Sequence, residues 1–288
     1  MFMVLSAAFF TAMNLLLKQA VADFSVWDIG FYRFGGGLVV LTTLFSRRGN
    51  PFRSPDIRLL FIRGATGSIA FLCFIVSVRR LPVSTALMLL YAFPAFAALF
   101  SSWLYREKVT PTAWLCVAAV LAGVALLVDP AGGGDLPGTL AGIVSAVFAG
   151  LTIAIIRRLK QSNGSVVIYL YFCVVGTLTT LPGFLHAPTF PADSTQLLVC
   201  GGIVVTSILG QITMNHGFGY CRSWEGGLYL TSEVVLTSLA GVVLLGDAVG
   251  WRFFAGGALI LGSAVAIQVE QAVARRNGRD RAQERAGA

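Results

Sequence analysis

The amino-acid sequence predicts an all-α integral membrane protein whose ten transmembrane helices form two inverted five-helix repeats. Three observations predict this fold class: an apolar composition, a series of ten apolar segments, and an internal repeat. Of the 288 residues, 56% are hydrophobic and 12% are charged, whereas about 25% of the residues of an ordinary soluble domain are charged. A bilayer accommodates so much apolar surface, since one helix needs only about 20 apolar residues to cross it.

Ten apolar segments follow one another along the chain, each bounded by proline, glycine or charged residues. They are predicted at 2–22, 26–46, 57–78, 82–104, 110–128, 137–156, 164–185, 195–217, 223–246 and 250–271. Pro82, Pro111 and Pro137 stand near the starts of three of them, where the first helical turn does not need the N–H that proline lacks. The polar residues after Gln271 are expected to form a frayed or disordered tail.

The second half of the chain repeats features of the first. Residues 5–18 (LSAAFFTAMNLLLK) resemble residues 144–157 (VSAVFAGLTIAIIR), and residues 103–127 resemble residues 243–267. An odd number of helices in each repeat places the second copy upside down in the membrane. Inverted repeats around a site near the bilayer midplane are typical of secondary transporters, so the repeat predicts transport. The predicted units are a first repeat at 1–133, a second repeat at 134–273 and a polar cytoplasmic tail at 274–288.

The basic residues predict the orientation of the chain. Fifteen Lys and Arg residues lie on the side of the two termini, against three (Arg79, Arg80 and Arg252) on the opposite side. The positive-inside rule therefore places both termini in the cytoplasm. The net charge of +8 is carried by short loops between apolar segments, which argues against nucleic acid as a partner.

Glu233 is the most informative charged residue within a predicted span. It lies near the middle of segment 223–246, and charged groups at that depth are costly and often mark a functional site. A glutamate there suits proton coupling or the binding of an ammonium group. The alternative is a structural ion pair with an arginine of a neighbouring helix.

Other polar residues within the spans are further candidates for substrate binding or coupling. Arg33 and Arg63 lie one to two turns inside their helices, where either can snorkel to the interface, but Gly64 and Gly67 leave room for Arg63 to line a cavity. Lys18 shares a helix face with Asn14. The remaining candidates are the amides Gln211 and Asn215, which either form interhelical hydrogen bonds or contact a ligand, and Tyr91, Tyr229 and Ser232. Pro94 is expected to kink the fourth segment and to act as a hinge.

Several motifs are absent from the sequence. The chain has no G-x-x-x-x-G-K-[ST] motif for a nucleotide and no HExxH or G-x-S-x-G motif for a hydrolase. The sequence contains no cluster of histidines that would indicate a metal site. The absence of these motifs predicts that the chain is not an enzyme and that it uses no cofactor.

The run from Leu59 to Leu127 resembles the drug/metabolite transporter superfamily, in its ten-helix EamA-type branch. The features are the RLPVSTA entry to the fourth segment, Pro94 within it, the REKVTP turn that contains Glu107, and a Gly/Ala-rich fifth segment. The second half matches more loosely, with Asp247 in place of Glu107. The resemblance implies ten helices, a central cavity between the halves, alternating access and a place in the inner (plasma) membrane. Within the branch the chain looks most like a YddG-type amino-acid exporter.

The predicted function is therefore export of amino acids, aromatic or other neutral ones, or of related small metabolites, driven by the substrate or proton gradient. The predicted partners are a small-molecule substrate, the lipid bilayer and protons, and a monomer is compatible with this function. One alternative is a proton-coupled multidrug or cation exporter, in which Glu233 alternates between a proton and a cationic substrate. Further alternatives are a membrane enzyme acting on lipid head groups and a passive channel.

Overall fold

The computed structural model describes residues 2–45, 52, 54–105, 111–127, 135–220, 223–247 and 249–287, and every regular element within these ranges is an α-helix. The helices are α1 (Phe2–Asp23), α2 (Val26–Phe45), α3 (Ile57–Arg80), α4 (Val83–Leu90), α5 (Phe93–Tyr105), α6 (Pro111–Leu127), α7 (Leu136–Leu159), α8 (Ser165–His186), α9 (Ser194–Tyr220), α10 (Ser223–Leu245) and α11 (Trp251–Gly287). Each predicted segment corresponds to one helix, except that α4 and α5 divide the segment 82–104. The prediction of ten transmembrane helices is therefore confirmed.

Helices α4 and α5 are separated by a turn at Tyr91 and Ala92. Pro94 follows directly, in the first turn of α5. Proline has no N–H to donate to the carbonyl four residues earlier, here that of Leu90, and α4 ends at that residue. The kink expected from Pro94 is thus present as a break near the middle of the segment.

The flanks of the bundle are apolar. Five helical stretches of the described residues are long and apolar enough to cross a membrane: Phe2–Asp23, Ile57–Arg80, Leu136–Ile156, Ser165–His186 and Ser194–Met214. Large aliphatic side chains point away from the protein, among them Leu115 and Leu198, which are 71% and 74% exposed. Such side chains are costly in water but compatible with lipid, so they form the surface that faces the bilayer.

The helices pack with an approximate twofold symmetry that exchanges the halves. Helix α1 packs against α9 and α10, and its counterpart α7 packs in the same way against α3 and against α4 and α5. A pair of hydrogen bonds repeats the pattern: the Ser6 hydroxyl donates to the Gly210 carbonyl at 2.9 Å, and the Ser145 hydroxyl donates to the Ala70 carbonyl at 2.7 Å. Ser6 and Ser145 hold equivalent places in the repeated sequence. The two halves are therefore interlocked inverted repeats.

Helices α6 and α11 form a close pair of their own. A Cβ atom at Gly123 would lie 2.7 Å from the Gly256 carbonyl oxygen, and a Cβ at Gly256 would lie 2.7 Å from the Gly123 carbonyl oxygen. Small residues let membrane helices approach to backbone contact in this way.

The C-terminal residues differ from the sequence prediction. Helix α11 continues through the polar tail to Gly287, so the expectation of a frayed or disordered tail after Gln271 was wrong. The tail is rich in alanine and arginine, and both residues have high helix propensity.

Candidate functional site

A cavity of about 210 Å³ lies in the centre of the bundle. Residues of both repeats line it, on α1 to α5 and on α7 to α10. The lining side chains are Phe10, Met13, Asn14, Arg33, Arg63, Ala70, Phe71, Phe74, Leu90, Tyr91, Phe93, Ser145, Ala149, Thr152, Ile153, Ile156, Phe172, Gln211, Met214 and Glu233, with Gly67 among them. A mostly apolar wall with a few polar groups is the usual form of a small-molecule site.

Glu233 lies buried at this cavity, 8% exposed. The Asn14 side-chain N–H donates to its Oε1 at 3.0 Å, and the Tyr91 hydroxyl donates to its Oε2 at 2.9 Å. Tyr91 is placed for this contact by the break between α4 and α5. No lysine or arginine of the described residues pairs with Glu233, so within these residues the alternative of a structural ion pair is not observed.

Arg63 also lies buried at this cavity, 4% exposed. Its guanidinium carbon lies 4.0 Å from the centre of the Phe172 ring. Within the described residues its Nε and Nη1 atoms make no hydrogen bond. Gly67, one turn along α3, leaves the space that the guanidinium and the ring share, since a Cβ there would lie 3.0 Å from Phe172 and 3.4 Å from Arg63.

Arg33 is a second buried guanidinium at the cavity. Its Nε donates to the Ser207 hydroxyl at 2.8 Å, and its guanidinium carbon lies 3.7 Å from the centre of the Phe71 ring. The hydroxyl groups of Ser207 and Tyr169 lie 3.1 Å apart, so Tyr169 supports this contact from behind. The Nη1 atom of Arg33 makes no hydrogen bond within the described part of the chain.

Snorkelling was one expectation for Arg33, and the structure places it inward instead. A signal for this was present in the sequence: Gly37 lies four residues later, on the same face of α2. That face is packed closely against α8, since a Cβ at Gly37 would lie 3.0 Å from the Cys173 sulfur. Small residues mark the packed face of a membrane helix, and an arginine on that face cannot reach the lipid interface.

Gln211 contributes an acceptor to the cavity wall. Its Oε1 atom is buried and makes no hydrogen bond within the described residues. The cavity therefore presents unused donors at Arg33 and Arg63 and an unused acceptor at Gln211. Buried polar groups ordinarily have partners, so these atoms indicate a polar ligand or water.

The other predicted site residues are placed as follows. The Lys18 ammonium donates to the carbonyls of Val78 and Leu81 at 2.8 and 2.7 Å, so it caps the end of α3 and is not among the residues that line the cavity. Ser232 lies beside Glu233 on α10 and is also not part of the described wall. Pro94 lies just beyond the cavity-lining residues Tyr91 and Phe93. The side chains of Asn215 and Tyr229 lie outside the part of the chain that the structure describes.

At one end of the bundle, side-chain contacts join the first repeat to the second. We call this the Asp135 end, because α7 begins next to Asp135. The Ser84 N–H and hydroxyl both donate to Oδ2 of Asp247, at 3.1 and 2.7 Å. Arg80 and Asp135 form an ion pair at 3.2 Å. On α7 the cavity is lined by residues from Ser145 to Ile156, in the part of the helix that lies away from Asp135. The cavity is therefore separated from the Asp135 end by contacts between the repeats.

Comparison with known families gives two matches along the chain. Residues 1–129 and residues 136–268 each match the EamA-like transporter family. Together these matches cover most of the sequence.

Individual relatives are transporters. The chain is 26% identical over 274 residues to the pseudopaline exporter CntI of Pseudomonas aeruginosa, covering 92% of this chain and 93% of that protein. It is 22% identical over 291 residues to human solute carrier family 35 member G1, covering 94% of this chain and 79% of that protein. These relatives agree with the prediction of a transporter that is not an enzyme.

A solved crystal structure shares the fold. It superimposes with a TM-score of 0.65 at 22% identity, over 95% of this chain and 96% of that chain. The arrangement of the ten spans is thus one that an experimental structure also has.

Proposed function

The chain belongs to the EamA-like transporter family, and we propose that it exports amino acids or related small metabolites from the central cavity by alternating access. One observation carries the proposal: a single cavity holds a buried carboxylate without a basic partner and two buried guanidiniums without an acidic partner among the described residues. A zwitterion supplies one charge of each sign. Its carboxylate would lie near Arg63 and its ammonium near Glu233.

The cavity wall carries charged side chains of both signs, which favours a zwitterionic substrate over a simple cation. A charge that enters a low-dielectric site without a partner pays a large desolvation cost. A cationic drug would find Glu233, but it would also meet the fields of Arg33 and Arg63, which repel it. The size of the cavity, about 210 Å³, is below the usual volume of about 300 Å³ or more for drug-sized ligands. Both observations count against the multidrug alternative.

Alternating access is supported by the contacts at the Asp135 end. Ser84 belongs to the first repeat and Asp247 to the second, so separation of the repeats at this end would open a path to the cavity. The break at Tyr91 and Ala92, next to Pro94, lies at the cavity, since Tyr91 is one of the lining residues. We propose that α4 moves about this break when the path opens, with Pro94 as the hinge.

We further propose that the protein lies in the inner membrane of its cell with both termini in the cytoplasm. The excess of basic residues on that side and the bacterial exporter among its relatives support this location. The matches at 1–129 and 136–268 support a division into repeats near residue 133. A reporter fused to the C-terminus that is active only in the cytoplasm tests the orientation.

The function is tested by counterflow in proteoliposomes with a panel of labelled amino acids. Wild-type protein is compared with Glu233→Gln, which removes the charge, and with Glu270→Gln, which makes the same change in α11, outside the cavity wall. We expect saturable exchange of at least one amino acid by wild type and Glu270→Gln, and at least about a tenfold loss in Glu233→Gln. If folded wild-type protein exchanges no amino acid, the substrate assignment is wrong.

A second measurement separates binding from coupling. Net uptake driven by an imposed proton gradient is followed beside counterflow for Glu233→Gln. Loss of both activities places Glu233 in substrate binding, because exchange needs the bound substrate. Loss of proton-driven uptake with exchange preserved places it in proton coupling.

A further inference from the structure

The charges on the cavity wall are unequal. Among the described residues that line it, Arg33 and Arg63 are basic and Glu233 is acidic. A neutral amino acid brings one carboxylate and one ammonium. It would therefore leave one arginine without a counter-charge.

The two arginines are fixed in place and cannot leave the site to find water at the surface. Each is 4% exposed. Arg33 is held by the Ser207 hydroxyl at 2.8 Å and by the Phe71 ring, and Arg63 is held against the Phe172 ring. Stacking on aromatic faces and a planar fork of donors suit arginine to the recognition of carboxylates.

The two guanidiniums also lie close to one another. Both approach the same Phe172 ring, Arg63 with its guanidinium carbon 4.0 Å from the ring centre and Arg33 with its own 5.6 Å away. Like charges at such a site destabilise each other unless anions lie between or beside them. Water can satisfy their N–H groups, but it brings no negative charge.

Free donor atoms remain on both arginines. Nη1 of Arg33 and Nε and Nη1 of Arg63 make no hydrogen bond within the described residues. The free Nε and Nη1 of Arg63 lie on different edges of its guanidinium, and either can donate a charge-assisted hydrogen bond to a carboxylate. The free Nη1 of Arg33 remains for a second anionic group.

From these contacts, and given the proposed function, we infer that the preferred substrate carries two acidic groups and one amine, and so bears a net negative charge. One acidic group binds Arg63, the second binds Arg33, and the amine binds Glu233. Gln211 offers its free Oε1 atom to a further N–H of the substrate. The substrate class is thus the amino-dicarboxylates, rather than neutral amino acids.

Three probes of similar size test the inference in proteoliposome counterflow. L-Glutamate has both acidic groups and the amine, L-glutamine lacks one acidic group, and glutarate lacks the amine. We expect wild type to prefer glutamate over each of the others by at least about tenfold. A probe that lacks one acidic group or the amine leaves a buried polar group of the cavity unpaired, and such a site discriminates strongly against it. In Arg33→Gln the exchange of glutamate should fall by at least about tenfold more than that of glutamine, so that the preference for glutamate falls to near one.

Matched variants show whether the change reflects charge or folding. Arg158→Gln makes the same substitution at an exposed position near the end of α7 and should keep the wild-type preference. Arg33→Lys keeps the positive charge and should keep a preference for glutamate, whereas loss of the fold would abolish all exchange in a variant. Elution as a single sharp peak in detergent confirms that each variant is folded.

The outcomes distinguish this inference from the proposed function. Wild-type exchange of glutamine as fast as glutamate overturns the inference and leaves amino-acid export standing. An equal loss of both substrates in folded Arg33→Gln also overturns it, because both arginines would then clamp one carboxylate. Failure of folded wild type to exchange any amino acid, acidic or neutral, overturns both proposals.

Discussion

The Asn14 amide donates to the Glu233 carboxylate at 3.0 Å, although the two residues lie 219 positions apart in the chain. The bond joins α1 of the first repeat to α10 of the second in the centre of the bundle. Tyr91 donates to the other carboxylate oxygen. Both oxygens are thus held by neutral donors, which fix the carboxylate in place while leaving its charge free for a ligand.

Removal of one of these donors should destabilise the protein. In Tyr91→Phe one oxygen of a buried carboxylate loses its donor, and an unsatisfied buried group costs about 1–3 kcal/mol. Tyr171→Phe removes a hydroxyl that donates at 2.9 Å to the Phe52 carbonyl in a partly buried place, and it should cost less. The free energy of unfolding in detergent measures both. Equal costs would contradict the buried-carboxylate interpretation.

The Phe172 ring should stabilise Arg63. Phe172→Leu removes the ring that the guanidinium faces at 4.0 Å, and a desolvated cation–π contact contributes about 2 kcal/mol. Phe184→Leu serves as a control, since Phe184 stacks on Phe31 with ring centres 4.1 Å apart. We expect Phe172→Leu to lower the free energy of unfolding more and also to raise the KM for exchange. A change in Phe184→Leu as large as that in Phe172→Leu would show that only packing is lost.

The contact of α6 with α11 should not tolerate an added methyl group. In Gly123→Ala or Gly256→Ala the new Cβ would lie 2.7 Å from a backbone carbonyl oxygen of the facing helix, and overpacking costs about 1–3 kcal/mol. Gly262, also in α11, has no such neighbour within 4 Å of an added Cβ, so Gly262→Ala should be neutral or slightly stabilising. Thermal unfolding of the three variants measures the difference. A stable Gly256→Ala would argue against the close pair.

Asp135 should give a pH-dependent contribution to stability. The Gly138 backbone N–H donates to its carboxylate at 2.7 Å, and Arg80 lies beside it at 3.2 Å. Together these contacts hold the pKa of the Asp135 carboxyl below its ordinary value of 3.8, and the hydrogen bond from Gly138 has the largest effect. Because the folded-state pKa is the lower one, the stabilisation is complete above the ordinary value and is lost as pH falls through the folded value.

Comparison with Asp135→Asn isolates this charge, since asparagine also caps helices well. The difference in Tm between wild type and Asp135→Asn should be constant from pH 7 to about pH 5. Below the ordinary value of 3.8 it should shrink. A difference that stays constant down to pH 3 would show that the charge of Asp135 does not contribute.

Much of the fold followed from hydropathy and from the repeat, because lipid requires each apolar segment to satisfy its own backbone as a helix. Within the site, Asn14, Arg63, Tyr91, Gln211 and Glu233 were all predicted as candidates, and the structure brings them to one cavity. Their depth in the span was enough to identify them. Their roles as substrate or coupling residues stay predictions.

The sequence was less informative about the direction in which each side chain points. Lys18 and Asn14 share a face of α1, yet Asn14 reaches the cavity while Lys18, one turn on, caps α3. Hydropathy gives the depth of Arg33 in the span but not the rotation of its helix, so the sequence is also compatible with a snorkelling arginine. That rotation depends on contacts with helices distant in the chain, such as the Ser207 hydroxyl on α9, and one helix alone does not reveal them.

The interlocking of the repeats has a consequence for the synthesis of the protein. Ser6 and its partner Gly210 are separated by 204 positions, so a ribosome that adds about 5–20 residues per second completes the second about 10–40 seconds after the first. During that interval α1 has emerged without α9 or α10, and Asn14 has no Glu233 to bind. The nascent first helix must therefore be held by lipid, by the insertion machinery or by a chaperone until the last third of the chain arrives. A ribosome that stalls in the second repeat would leave behind a fragment whose first helix lacks its native neighbours, which is the kind of product that membrane proteases remove.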